Sequence, residues 1–384
     1  MHNRPFLPLA VLLSSLLLGA CASKPNDLKN PREAIAAFAE KSYQASQHTP
    51  SQGWDATFSV ADEPVEVSWL APAQAQGAAP LVVFLPGLGE GARAGLQWRQ
   101  TWAEAGYAVV SIQPQQYGRG IYSSSEAQAG TFRGMAQRAY ADTALKARIE
   151  VVQQVLNQLR VRGQAGDPQL TGVDWQNLVF AGYDLGAQTA AALGGDSLLK
   201  EWQPKAVILL SPYVGPGSPA ARVDTPLLSV TGPHDEDPFS WVDSPERRQA
   251  IWRGNPNPGS YQLISKNAQH QLFSGSLDEL PGPDEGGSPR PTRDADMDAG
   301  AGGRANGGPP GADGGEGPKR RPRPDTMGHG QDSLNWFDAR QVANVQTVST
   351  AFLDATLRNS APAKAWLTQQ APQAIGPAAS IEAR

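Results

Sequence analysis

The sequence predicts an α/β fold, a mostly parallel sheet with helices on both faces, and three observations carry that expectation. Short continuous apolar runs read as strands buried on both sides: Leu81 to Leu85, Tyr107 to Ile112, Leu178 to Tyr183, Ala206 to Leu210, Leu227 to Val230 and Tyr261 to Ser265. Between them stand segments of helical character, around Leu96 to Ala105, Met135 to Val161, Gly186 to Leu193 and Asp243 to Trp252. Strands and helices alternate along the chain, which favours parallel pairing through crossovers.

The flanking elements follow the same reasoning. Pro31 opens a helical pattern from Arg32 to Gln47, with Ile35, Phe38 and Ala39 on one face. Trp54 to Val60 and Val65 to Leu70 alternate with period two, as a hairpin of exposed-edge strands does. The helix of Asp243 to Trp252 begins with the capping run Asp243-Ser244-Pro245-Glu246. Val342 to Leu357 reads as helix, and Ala363 to Leu367 extends the tail. Residues 281–330 differ in kind: 14 of the 50 are Gly and 9 are Pro, with charges of both signs and almost no large apolar residue. Such a segment buries too little surface to offset its ordering entropy, so it is expected to be a disordered insertion. Its basic cluster Lys319-Arg320-Arg321-Pro322-Arg323 reads as solvated linker, with anionic lipid or cell-wall polymer as the alternative contact. The expected organisation is therefore a signal segment over 1–20, a tether over 21–32, the α/β body over 33–280, the insertion over 281–330, and a C-terminal helix and tail over 331–384.

The first twenty residues are not fold material. An apolar run from Phe6 to Leu18 follows Arg4, too short to span a bilayer comfortably and suited to a signal-peptide core. It ends in Leu18-Gly19-Ala20-Cys21, which resembles a bacterial lipobox. Small residues admit the peptidase, and the Cys21 thiol supplies the atom for lipid attachment. Cys21 is also the only cysteine in the 384-residue chain, so no intrachain disulfide is possible. The expectation is a membrane anchor through lipid on Cys21. By resemblance to Gram-negative sorting rules, Ala22 favours the outer membrane, with the body facing the periplasm. A net charge of −5 and the lack of a basic stripe in the ordered part argue against a nucleic-acid partner.

The sharpest local signal is Phe180-Ala181-Gly182-Tyr183-Asp184-Leu185-Gly186-Ala187, of the form G-x-D-x-G at a strand-to-helix junction. A side chain held on a sharp, strained turn needs small neighbours so that strand and helix approach closely. The helix N-terminus that follows also brings backbone N–H groups to developing negative charge. Many loops match the pattern by itself; its place after a buried strand and before an Ala-rich helix singles it out. Further on come Thr231-Gly232-Pro233-His234-Asp235 after one strand and Asn267-Ala268-Gln269-His270-Gln271 after the last. Upstream, Phe84-Leu85-Pro86-Gly87-Leu88-Gly89-Glu90 makes a Gly-rich turn.

From about Pro80 to Leu367 the chain resembles an α/β-hydrolase, most like the capless dienelactone-hydrolase and platelet-activating-factor-acetylhydrolase groups. Gly106-Tyr107-Ala108-Val109-Val110, Phe352-Leu353-Asp354-Ala355 and Trp366-Leu367 add to the motifs above. The resemblance implies that Asp184 occupies the nucleophile position, Asp235 the acid and His270 the base, with Asp237 as the nearby alternative acid. It implies an oxyanion hole from the N–H groups of Leu88 and Leu185. Pro86 stands where many relatives have His. The short stretch between Pro212 and Pro226 leaves no room for a helical cap domain there.

Those two groups carry Cys or Ser at the elbow, and Asp184 changes the chemistry. A carboxylate attacking an ester carbonyl gives a mixed anhydride that readily reverts, whereas attack at saturated carbon gives an alkyl ester that a His-activated water can hydrolyse. Elbow aspartates accordingly resemble haloalkane dehalogenases and epoxide hydrolases. Yet Leu185 and Leu88 stand where halide-binding donors are expected, and no cap supplies tyrosines; Tyr117, Tyr122 and Tyr213 lie on loops of undetermined direction. Three readings remain open: a hydrolase of a small organic substrate with Asp184 as nucleophile, a catalytically inactive envelope-anchored binding or scaffolding protein, and an esterase with Asp184 as base. No metal-ligand spacing and no phosphate-cradling loop occur, so neither metal nor cofactor is expected.

Overall fold

The computed structural model describes residues 31–74, 77–195, 201–276 and 338–384. The leader, Cys21 and the 281–330 insertion lie outside the described residues. In chain order the elements are α1 (Pro31–Ala39), β1 (Ser51–Val60), β2 (Glu63–Pro72), β3 (Ala79–Leu85), α2 (Leu96–Glu104), β4 (Ala108–Pro114), α3 (Ser125–Gln128), α4 (Phe132–Ala139), α5 (Asp142–Gln164), β5 (Val173–Tyr183) and α6 (Leu185–Leu193). Then come β6 (Ala206–Leu210), β7 (Leu227–Thr231), α7 (Ala250–Gly254), β8 (Tyr261–Ser265), α8 (His270–Ser274), α9 (Ala339–Leu357), α10 (Ala361–Ala365), α11 (Ala371–Ala374) and β9 (Ala379–Ala383).

The nine strands form one sheet in the order β1-β2-β4-β3-β5-β6-β7-β8-β9. From β4 through β8 every neighbour is parallel; β1, β2 and β9 pair antiparallel at the two edges. This is an α/β architecture of the α/β-hydrolase type. The apolar runs are buried on both faces because alternate residues feed two separate cores. Val82, Phe84, Val109 and Ile208 face α1, α2 and α9. Leu81, Val83, Leu85, Val110 and Val207 face α5 and α6. α9 is fixed to the sheet by a buried carboxylate: Tyr107 and Tyr43 donate to Asp354 at 2.5 and 2.6 Å, and Arg358 pairs with it at 2.6 Å.

Several expected elements differ in extent. The first helix ends at Ala39, where the Gln44 side-chain amide donates to the carbonyls of Ala39 and Glu40 at 2.8 and 3.2 Å, and not at Gln47. The hairpin is present, but only β1 is an edge; β2 also pairs with β4. The helix read over Met135 to Val161 is broken at Tyr140-Ala141 into α4 and α5. Asp243 to Trp252 is a 3-10 turn over Pro245–Gln249 followed by the short α7. β9 carried no expectation; its weakly alternating Ala379-Ser380-Ile381-Glu382-Ala383 forms a strand only because β8 offers it an edge. No cap domain stands between β6 and β7, but α4 and the turns around Tyr117 and Ile121 pack over the elbow with Phe239 and Val242.

Candidate active site

Asp184 sits at the junction of β5 and α6 with φ 50° and ψ −111°, a conformation that L-residues avoid and that costs on the order of 1–3 kcal/mol. Close approach of three backbones enforces it. A Cβ on Gly186 would lie 1.9 Å from the Leu85 carbonyl oxygen, and one on Gly182 would lie 2.3 Å from the Gly186 carbonyl oxygen. The two glycines of G-x-D-x-G therefore let β3, β5 and α6 meet. The turn is held by the Asp184 N–H, which donates to the Leu210 carbonyl at 3.0 Å.

Asp184 is 3% exposed. Its Oδ1 accepts the Tyr140 hydroxyl at 2.7 Å and lies 3.5 Å from Arg248 Nη1. Tyr140 occupies the break between α4 and α5. Burial first, and the charge of Asp184 second, push its phenol well above the ordinary value, so it donates as a neutral hydroxyl.

Asp235 follows β7 and is fully buried. Its Oδ1 lies 2.7 Å from His270 Nδ1 and accepts Ser211 Oγ at 2.7 Å; its Oδ2 accepts Thr231 Oγ1 at 2.7 Å. Ser211 Oγ is also 3.0 Å from His270 Nδ1. The loops carrying the two residues are joined by a bridge between His234 and Gln269. Burial alone raises the Asp235 carboxyl, but Arg248 and the His270 bond outweigh it and hold it below the usual carboxylate range. His270 opens α8, and its backbone carbonyl accepts the Tyr183 hydroxyl at 3.2 Å. Asp237, the alternative acid, is used otherwise: its carboxylate accepts the N–H groups of Phe239, Trp241 and Val242, shaping the turn over the site.

Arg248 joins the two halves. It is completely buried, with Nε 3.3 Å from Asp235 Oδ1 and Nη1 donating to the Ser211 carbonyl at 2.7 Å while facing Asp184. Burial lowers a guanidinium pKa, yet Asp235 and Asp184 more than offset it, so Arg248 remains a cation. Its Nη2 has no acceptor among the described residues. Asp184, Arg248, Asp235 and His270 thus form one contiguous chain of charge-assisted contacts.

The Gly-rich turn expected to supply the oxyanion hole lies beside them. The Gly87 N–H donates to Glu90 Oε2 at 2.8 Å and the Gly89 N–H to the Tyr117 carbonyl at 2.8 Å. The N–H of Leu88, between them, has no acceptor among the described residues. Leu185 begins α6, so its N–H has no intrahelical acceptor. Both leucine side chains pack in the aromatic cluster around Tyr140.

The sequence-assigned residues Asp184, Asp235 and His270 thus lie just past the C-terminal ends of β5, β7 and β8, joined through Arg248. Arg248 and Tyr140 were missed. Of the loop tyrosines, Tyr213 packs edge-on against Tyr140 with ring centroids 5.8 Å apart, Tyr117 stacks under Arg148 at 5.2 Å, and Tyr122 is exposed beside Phe239. A cavity of about 450 Å³ adjoins the Gly-rich turn, lined by Leu88, Tyr117, Ile121, Met135 and Ala139. A second of about 270 Å³ borders Tyr140, Tyr213 and Trp241. A larger cavity, about 750 Å³ between α1, α2 and α9, is lined by none of these site residues. No protein-family model matches the chain, and no curated protein matches it either.

Proposed function

We propose that this chain is a membrane-anchored hydrolase in which Asp184 is the nucleophile, acting on a small organic substrate with a leaving group on saturated carbon. The observation that carries the reading is the strained, buried elbow aspartate coupled through Arg248 to an oriented His270–Asp235 pair. Strain of that kind persists where the surroundings hold it for a purpose. In the first step a carboxylate oxygen of Asp184 bonds to the substrate carbon, and the leaving group departs with the bonding electrons. In the second, His270 Nε2 takes a proton from water, whose oxygen bonds to the Asp184 carboxyl carbon. The tetrahedral oxyanion is stabilised by the N–H groups of Leu88 and Leu185. Its collapse transfers the His270 proton to the departing alcohol and leaves Asp184 as the carboxylic acid, which releases its proton to solvent and so restores the carboxylate. Asp235 keeps Nδ1 of His270 as donor throughout, which leaves Nε2 free as base. Anchoring through lipid on Cys21 places the activity at the cell envelope.

A second reading, a non-hydrolytic envelope binding protein, is favoured by one observation: the Asp184 carboxylate is engaged by Tyr140 and Arg248 under a closed aromatic cover. Turnover separates the two. The purified chain is offered short aryl esters, terminal epoxides and haloalkanes beside Asp184→Ala and His270→Ala. The expected result is hydrolysis of an epoxide or haloalkane that both substitutions abolish. Ester hydrolysis lost in the same way would assign Asp184 as base, and no turnover by folded protein would favour the binding protein.

A further inference from the structure

Glu90 ends the oxyanion turn and takes no part in the triad. Its carboxylate joins three elements. Oε2 accepts the Gly87 N–H at 2.8 Å, and Oε1 accepts the hydroxyl of Ser274, the last residue of the helix that His270 opens. Ser274 Oγ is 2.8 Å from Ser276 Oγ, which in turn accepts the N–H of Gly95, at the start of α2, at 3.3 Å. With Glu90 ionised, every donor in this chain points toward the carboxylate. The N–H of Gly95 donates to Ser276, Ser276 to Ser274, Ser274 to Oε1, and Gly87 to Oε2. Gln113 holds the same turn from the other side, donating to the carbonyls of Gly87 and Glu90 at 2.9 Å each.

We propose that Glu90 is a positioning residue that, as a carboxylate, sets the oxyanion turn against the helix carrying His270. Protonation forces Glu90 to donate one bond, and the acceptor it has is Ser274. The serine chain must then reverse, and Ser276, still receiving the Gly95 N–H, accepts from both sides. The charge-assisted tie is replaced by a weaker neutral one of opposite direction while the fold stays intact. The catalytic consequence rests on the hydrolase reading; the tie itself does not.

The electrostatic surroundings make the switch reachable. Burial pushes the Glu90 carboxyl up, the Ser274 and Gly87 bonds pull it down, Asp184 raises it and His270 lowers it, leaving it at about 7. Tyr183 of β5 also neighbours it, and Glu66 of β2 and Arg119 flank Gly91 next in the chain.

The test is an amide titration of the full chain in detergent, labelled with 15N-glycine, from about pH 5 to about pH 9. The Gly87 resonance is expected to move with a midpoint of about 7. It should not titrate in Glu90→Gln, whose amide reproduces the protonated pattern, and its midpoint should fall in Asp184→Asn, which removes a charge that raises Glu90. In the turnover assay, kcat of Glu90→Gln is expected to fall about tenfold to a hundredfold with KM little changed, since small misplacements of that kind carry such costs. The rise of kcat through the Glu90 midpoint should disappear. A Gly87 amide that is flat in the wild type, or that titrates equally in Glu90→Gln, would overturn the proposal. The expected amide behaviour without turnover in any variant would establish the tie and count against the hydrolase reading alone.

Discussion

Replacing Arg248 with methionine is expected to cost about 3–5 kcal/mol of folding stability, the range for removing one partner of a buried ion pair. The loss of packing is small, because methionine fills much of the same space. What remains is two buried carboxylates, Asp184 and Asp235, facing each other's field with no cation between them. Urea denaturation of the wild type, Arg248→Met, Asp184→Asn and the double variant measures it. The double variant should lose less than the sum of the singles, because Asp184→Asn removes one of the charges Arg248 neutralises. The pH dependence has a definite sign. Asp235 is held below its unfolded pKa, so its contribution is present above that value and is lost as pH falls through the folded one. Without Arg248 the folded pKa rises, so that contribution shrinks and is lost at higher pH. A cost under about 1 kcal/mol would place Arg248 among the weak pairs typical of solvated surfaces.

Removing His270 is expected to have a large effect on activity. General-base assistance contributes about a hundredfold to ten-thousandfold, so multiple turnover by His270→Ala should fall by that order. The two steps depend on His270 unequally, however. Attack by Asp184 does not use the imidazole, whereas hydrolysis of the alkyl ester does. His270→Ala should therefore gain, on the peptide containing Asp184, the mass of the alkyl group of a haloalkane or of the whole epoxide. The double variant with Asp184→Ala should gain nothing. A His270→Ala protein that neither turns over nor becomes alkylated would mean that Asp184 does not attack.

The fold was legible because parallel strands buried on both faces are apolar nearly throughout, a signal that survives without any knowledge of partners. Leu81 to Leu85 and Ala206 to Leu210 show it directly. The elbow was legible for a related reason: only glycine tolerates the approaches seen at Gly182 and Gly186. Arg248 was not, because Arg247 and Arg248 are adjacent and alike in sequence. One is exposed beside Asp243 and the other is buried between two aspartates, a difference that only the tertiary arrangement creates. Tyr140 was hidden by periodicity, since Ala139-Tyr140-Ala141 contains no residue that ends a helix. The acidic Asp142, opening α5, was the available cue. β9 and the Glu90–Ser274 tie depend on contacts between distant segments, which no local pattern encodes.

Whether Asp184 supplies the oxygen is decided by one turnover in H₂¹⁸O with protein in excess over a substrate it hydrolyses. The expected result is unlabelled oxygen in the alcohol and ¹⁸O in the carboxylate of Asp184, because water attacks the ester intermediate at the enzyme's carbon. Label appearing in the alcohol during that first turnover would contradict the account and make Asp184 a base for water.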